Sequence, residues 1–469
     1  MTDLAAELRD IERKLFEIPD EKVAQLTLLI ERSRAVVLSA AMADAALGAL
    51  RPRLVKTRPP RHLTLQRIFC HPFEDLLILP EDNDKQFGRI SRTSLAPGWD
   101  FVLQCLDQAA VRELEASLRQ SPAPAIGAES DPRIAKLGAT LWNIAARRLR
   151  EEISRAESDA AYRAELVAKL GGETCLLDLI DMMGMLEIAA ALEGLREHLS
   201  PKPVGKLLDE QVEAIHEAYN ALCNSGAGLP GYMIAFAVAR LTNPFQMLPV
   251  CDALNELPTG IADLKPGQYV RRMIAGDSKR FFKSIGRSDP ARLDDGNIAG
   301  MVDDFVRMVG RLKADGMAEG PQPEMDAAGA KLRDMVKIGV LDGADTKITV
   351  ALTMPAAADG SEAAREALFD AKVQAENRVY AIQKVARVAG EIGAEKDVGG
   401  ALKTLGQQIE QGGSALVADI KAGKLNALGR EAVKQQIYGA VRMLELVSGA
   451  PAANKLMRDG LAAVEKMPG

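Results

Sequence analysis

The chain has 469 residues, a net charge of −6, 26% charged and 47% apolar residues. These are the values of a folded globular protein of about three domains, and they exclude a disordered chain and a protein that coats nucleic acid over its whole surface. Aromatics make up only 4%, so burial must come from Leu, Ala, Val, Ile and Met, which favours packed helices over a β-sandwich.

The first fifteen residues carry Leu4, Leu8, Ile11 and Leu15 at helical spacing, with no basic region leading into an apolar core as a signal peptide requires. Pro19 ends that helix, and Asp20 is placed to cap a second one carrying Val23, Leu26, Ile30 and Val37 and running on to Leu50. The expectation is an αα-hairpin packed within the chain, with a seam that could also join two copies of it.

The least ordinary stretch is Arg51 to Pro80. No Asp or Glu occurs from Ala45 to Phe73, while Arg51, Arg53, Lys56, Arg58, Arg61 and Arg67 supply six positive charges. Four prolines forbid one continuous helix through it. Pro-restricted backbone loses little entropy on binding, and Arg and Phe are good anchors. These six residues are therefore the expected partner-binding surface. Cys70 and His71 stand side by side in it, with His62 upstream. A thiol in a basic field is a conceivable nucleophile, but packing of Cys70 is the stronger reading.

Pro97 is expected to start the next helix, with Trp99, Phe101, Leu103 and Leu106 on it. Residues 121–132 have linker composition. Pro132 then opens a long run of helices: a stripe of Ile134, Leu137, Leu141, Ile144 and Leu149, a helix from Tyr162 stopped by Gly171-Gly172, and an apolar, Met-rich helix from Cys175 to Leu199. Asp178 and Asp181 lie along one face of that helix with Cys175 and either build an internal polar site or point at solvent. His216, Asn220 and Cys223 also share a helical face, but three convergent metal donors are needed and Asn takes the place of the second His of HExxH, so no metal is expected.

A second basic stretch carries Arg271, Arg272, Lys279, Arg280, Lys283 and Arg287, interleaved with Tyr269, Phe281 and Phe282 that could stack on bases. Residues 315–326 are a second expected linker. Beyond it Lys347 to Leu352 alternates enough for one short strand, or is simply a helix end, and Ala363 to Ile392 and Glu431 to Val447 are helical.

The sequence thus predicts an all-α, multi-helical protein divided at 1–120, 133–315 and 326–469. Phosphate-binding, nucleotide-binding and serine-hydrolase motifs do not occur, and no cofactor is expected. The five scattered cysteines fit free thiols in a cytoplasmic protein. The leading function is a non-enzymatic helical adaptor that binds a protein partner through Arg51–Pro80. A nucleic-acid or nucleotide binder using 51–67 and 269–287, and an enzyme of an unfamiliar helical class built on the Cys175–Asp181 or His216–Cys223 face, are the alternatives.

Overall fold

The computed structural model describes residues 63–79, 85–121, 132–223, 229–254, 264–353, 362–426 and 429–467. With them it describes Leu15, Ile18, Pro19, Lys22, Val23, Leu26, Thr27, Ile30, Ala46, Leu47, Leu50 and Arg53. Among the described residues the chain is all-α apart from a two-stranded parallel ladder and an isolated bridge between Val204 and Leu241, and it divides into two compact units, Met1–Val270 and Arg271–Gly469. The division falls inside the helix Pro266–Arg287.

At the N-terminus Leu15, Val23, Ile30, Ala46, Leu47 and Leu50 bury one another in a single apolar cluster. The expected second helix of the hairpin, from Asp20 to Leu50, falls for the most part on residues 31–45, which lie outside the described residues.

In the rest of the first unit, α1 (Leu65–Cys70) leads into a 3₁₀ turn (His71–Leu76) and strand β1 (Leu77–Ile78), which pairs in parallel with β2 (Ile90–Ser91) in the register Leu77 to Ile90. Another 3₁₀ turn, Arg92–Ser94, runs into α2 (Leu95–Cys105). This helix starts two residues before Pro97, which is tolerated because first-turn N–H groups have no intrahelical acceptor. Then follow α3 (Gln108–Gln120), α4 (Pro132–Ser158), α5 (Ala160–Leu170), α6 (Glu173–Glu187), α7 (Ala189–His198), α8 (Asp209–Cys223), α9 (Leu229–Arg240) and α10 (Met247–Ala253).

The ends are set by local chemistry. Asp159 accepts from the N–H groups of Ala161 and Tyr162 to open α5, and Gly171, at φ 83°, closes it with bonds back to Ala168 and Val167. The Met-rich α6 is the centre of this unit, with Leu176, Leu179, Met182, Met185 and Leu186 all buried. Gly184 on α6 takes the Tyr232 ring of α9, since a Cβ there would stand 2.0 Å from a ring carbon.

The second unit begins within α11 (Pro266–Arg287) and continues through α12 (Asp295–Ala314), α13 (Gln322–Met335), a π-helical segment (Val336–Leu341) and α14 (Ala344–Thr353). It ends with α15 (Glu362–Ala386), the 3₁₀ turn Ala389–Ile392, α16 (Glu395–Lys421), α17 (Arg430–Ser448) and α18 (Ala450–Val464). Residues 315–326, expected as a linker, lie inside this unit, and Met317 N–H donates to Leu312 at 2.7 Å. Of the two readings of Lys347–Leu352, a short strand or a helix end, the structure takes the helix. Ala344, Ile348 and Ala351 are buried at helical spacing, and that packing outweighs the weak β preference of Ile, Thr and Val. Arg378, only 5% exposed, donates to the carbonyls of Gly339 (2.6 Å) and Val340 (2.8 Å) and pairs with Asp295 at 2.6 Å, which satisfies carbonyls of the π-helical segment.

Candidate functional site

Of the six cations expected to form the first docking surface, Arg51, Lys56, Arg58 and Arg61 lie outside the described residues. Arg53 is turned inward: it donates to the Leu15 carbonyl at 2.6 Å and also to that of Ile18. Arg67 is exposed on α1. The aromatic half of the stretch is anchored in the body. Phe69 and Phe73 are fully buried, their rings 5.3 Å apart, with Trp99 5.2 Å from Phe69. The Trp142 indole donates to the Ile68 carbonyl at 2.8 Å.

Cys70 and His71 do not form a nucleophile pair. Burial, reinforced by Glu74, pushes the Cys70 thiol up to about 12, the reverse of what thiolate chemistry needs. His71 instead places Nε2 3.2 Å from Glu193 and stacks its ring over Trp142.

Two buried carboxylate clusters organise the first unit. Asp75, on the turn after His71, meets Arg240 at 2.6 Å, Arg196 at 3.3 Å and also Lys202. The two guanidiniums lie 5.0 and 5.4 Å from the centroid of the Phe236 ring and donate to the carbonyls of His71 and Leu199. Burial alone would raise the Asp75 pKa. The hydrogen bond from Lys202 and the three positive charges outweigh it, and the carboxyl is held below its usual range.

The second cluster settles the orientation of the aspartates on α6: both point inward. Lys85 places its ammonium 2.6 Å from Asp178, 2.5 Å from Asp181 and 2.6 Å from the Arg89 carbonyl. The other Asp178 oxygen accepts from Ser91 N–H at 3.0 Å and Ser94 Oγ at 2.6 Å, and the Tyr232 hydroxyl donates to Asp181 at 3.3 Å. Burial raises the Asp181 pKa against the pull of Lys85. Burial lowers the Lys85 pKa, but the carboxylates of Asp181 and Asp178 outweigh it and the ammonium is stabilised. Cys175, on the same helix, reaches the Ser94 carbonyl through its thiol. The arrangement ties the segment from Lys85 to Ser94 onto α6.

On α8, His216 and Cys223 are half-buried, and burial pushes the Cys223 thiol up. Among the described residues no group of three or more His, Cys, Asp or Glu is arranged to hold a metal ion, and no helix is long and apolar enough to cross a membrane.

The second basic stretch is sorted by α11. At 100° per residue, Arg272, Lys279, Arg280, Lys283 and Arg287 fall within an arc of roughly 100°. Arg272 and Arg287 are exposed and the other three half-buried. Arg271 lies off this face and donates to the Asp315 carbonyl at 3.2 Å, while Asp277 pairs with Arg280 at 3.1 Å. The opposite face is core: Met273, Ile274, Phe282 and Ile285 are at most 2% exposed. Phe282 packs its ring against Phe281 and Phe305 at 5.5 and 5.6 Å. Tyr269 is equally buried, with Phe87 4.7 Å away. Two of the three aromatics expected to stack on bases are thus spent on packing.

Lys279 and Lys283, and Lys283 and Arg287, are like-charge neighbours at i, i+4, each pair costing about 0.2–0.5 kcal/mol. Burial of each large apolar side chain on the other face returns about 1.5–3 kcal/mol, so the helix forms in spite of its basic face. Compared with known protein families, with curated proteins and with solved structures, the chain matches none of them.

Proposed function

We propose that the protein is a non-enzymatic helical adaptor that docks an acidic protein surface through the basic face of α11. The observation that carries this reading is the concentration of five cations on one arc of α11, Arg280 among them already paired with Asp277, while Ile274, Phe282 and Ile285 on the other side are buried. Like charge gathered at helical spacing costs local stability, and a complementary negative surface offsets that cost and steers encounter. The inward placement of Phe282 and Tyr269 removes the ring platform that single-stranded nucleic acid uses, and the overall charge of −6 opposes a long polyanion. A protein partner is therefore favoured over nucleic acid. The upward-shifted thiols and the anchoring role of Lys85, Asp178 and Asp181 support binding rather than catalysis. The five free cysteines suit a reducing compartment, and a cytoplasmic location belongs to the same proposal.

The test compares poly-L-glutamate with an oligo-dT of equal charge by fluorescence anisotropy, for the wild-type chain and for Lys279→Glu/Lys283→Glu/Arg287→Glu. Wild type is expected to bind poly-L-glutamate, with affinity falling steeply as salt rises, and the triple variant to lose that binding while keeping its helical circular dichroism. Tighter binding of oligo-dT, with a salt slope of roughly −3 for four neutralised phosphates, would transfer the site to nucleic acid. Equal binding by the variant, or none by wild type at low salt, removes the proposal.

A further inference from the structure

The second unit leaves one helix face outside its own core. Along α15, Asp370, Val373, Asn377, Tyr380 and Lys384 recur at alternating steps of three and four, and Arg387, the first residue beyond the helix, continues the series. That is the spacing of a coiled-coil seam, about 26 Å long at 1.5 Å per residue. Inside the chain the helix packs through its other side, where Ala375, Val379, Ile382 and Val385 are fully buried. On the seam Tyr380 is 62% and Val373 40% exposed, and Asp370, Asn377 and Arg387 are exposed as well. Tyr438 on α17, 39% exposed and one turn before Arg442, widens the apolar strip, since Arg442 pairs with Glu376 of α15 at 3.4 Å.

The charges on the seam are ordered, acidic at Asp370 and basic at Lys384 and Arg387. Lys384 is already held by Asp303 of α12 at 2.8 Å. Asp370 and Arg387 make no ion pair and no side-chain hydrogen bond among the described residues. Two such helices laid antiparallel about a two-fold axis complement each other. Asp370 of each copy faces Arg387 of the other, Val373 lies on the aliphatic stem of Lys384, and Asn377 meets Tyr380. A parallel arrangement instead sets Asp370 against Asp370 and Arg387 against Arg387.

We propose that the face of α15 from Asp370 to Arg387 is a homodimer interface, joining two copies of the chain antiparallel about a two-fold axis. The polar Asn377 inside the seam fixes its register. A seam this short buries less than a standard interface, so the expected dissociation constant is on the order of 10 μM. The face lies on a different helix from the α11 cations, and the inference does not rest on the docking reading.

Sedimentation equilibrium of the full chain from about 1 to about 200 μM is expected to show a monomer–dimer equilibrium. Tyr380→Ala, Asp370→Arg and Arg387→Asp should each weaken it about tenfold or more, with helical circular dichroism at the wild-type level. An equimolar mixture of the Asp370→Arg and Arg387→Asp chains is expected to associate as tightly as wild type, because both ends of the mixed seam then hold opposite charges. Asp370→Asn and Arg387→Gln replace any reversal that loses the helical signal, and should weaken association about threefold. A wild-type chain still monomeric at about 200 μM, a dimer unchanged by these variants, or a mixture that fails to associate would overturn the proposal.

Discussion

The clusters around Asp75 and around Asp178 begin from the same problem, a carboxylate taken out of water, and solve it with opposite charge ratios. Asp75 faces three cations, whereas Asp178 and Asp181 together share the one ammonium of Lys85. The first cluster therefore holds its carboxyl below the ordinary range, and the second raises the proton affinity of Asp181 and Lys85 alike. Burial is common to both, so the balance of charge decides the direction. The cations around Asp75 are also met by Glu193 and Glu74, both paired with Arg196, by the His71 and Leu199 carbonyls and by the face of Phe236.

The contrast can be broken by mutation. Asp75→Ala is expected to have the largest effect, a loss of about 3–5 kcal/mol, because it takes the paired carboxylate from Arg240, 6% exposed, while Arg196 keeps Glu193 at 3.2 Å. Urea midpoints measure it, and a loss below about 1 kcal/mol would show that the carbonyls and Phe236 suffice. Asp178→Asn should cost less, about 2–3 kcal/mol, since the amide oxygen still accepts one bond and Asp181 still neutralises Lys85. A larger loss than for Asp75→Ala would reverse the ranking of the two clusters.

The smallest effect is a pH dependence of opposite sign in the two places. The folded-state pKa of Asp75 is lowered, so its contribution is present above the unfolded value and is lost as pH falls through the folded one. The folded-state pKa of Asp181 is raised, so its contribution is complete below the unfolded value and is lost as pH rises through the folded one. Wild type should therefore lose ground against Asp181→Asn as pH rises above the ordinary carboxylate value, and lose ground against Asp75→Asn as pH falls below it. A stability difference that stays constant with pH in either pair contradicts the assigned direction.

What could be read in the sequence was whatever repeats locally. Gly171-Gly172 announced the end of α5, and the cations of 271–287 stood out as a basic stretch because local composition needs no knowledge of the fold. Asp178 and Asp181 stood out as acids on the most apolar helix, yet their direction depended on a partner 93 residues earlier. Lys85 carries no mark of that role, since a lysine beside an acidic turn has the sequence of an ordinary surface loop. Arg53 misled for the same reason: its charge looked available until the carbonyls of Leu15 and Ile18 were found in front of it. A pattern specifies faces, while their pairing is set by the packing of the whole unit.

Asp75 has a consequence for the order in which this chain is made. Its partner Arg240 lies 165 residues further on, Lys202 127 and Arg196 121, whereas Arg53 reaches its partner Leu15 across 38. A chain synthesised at about 5–20 residues per second therefore exposes Asp75 to water for on the order of 10–30 s before Arg240 exists. The N-terminal cluster can close during that interval, but the Asp75 turn cannot be fully desolvated. Until α9 is complete, the growing chain carries a settled beginning followed by a segment still waiting for its counter-charge.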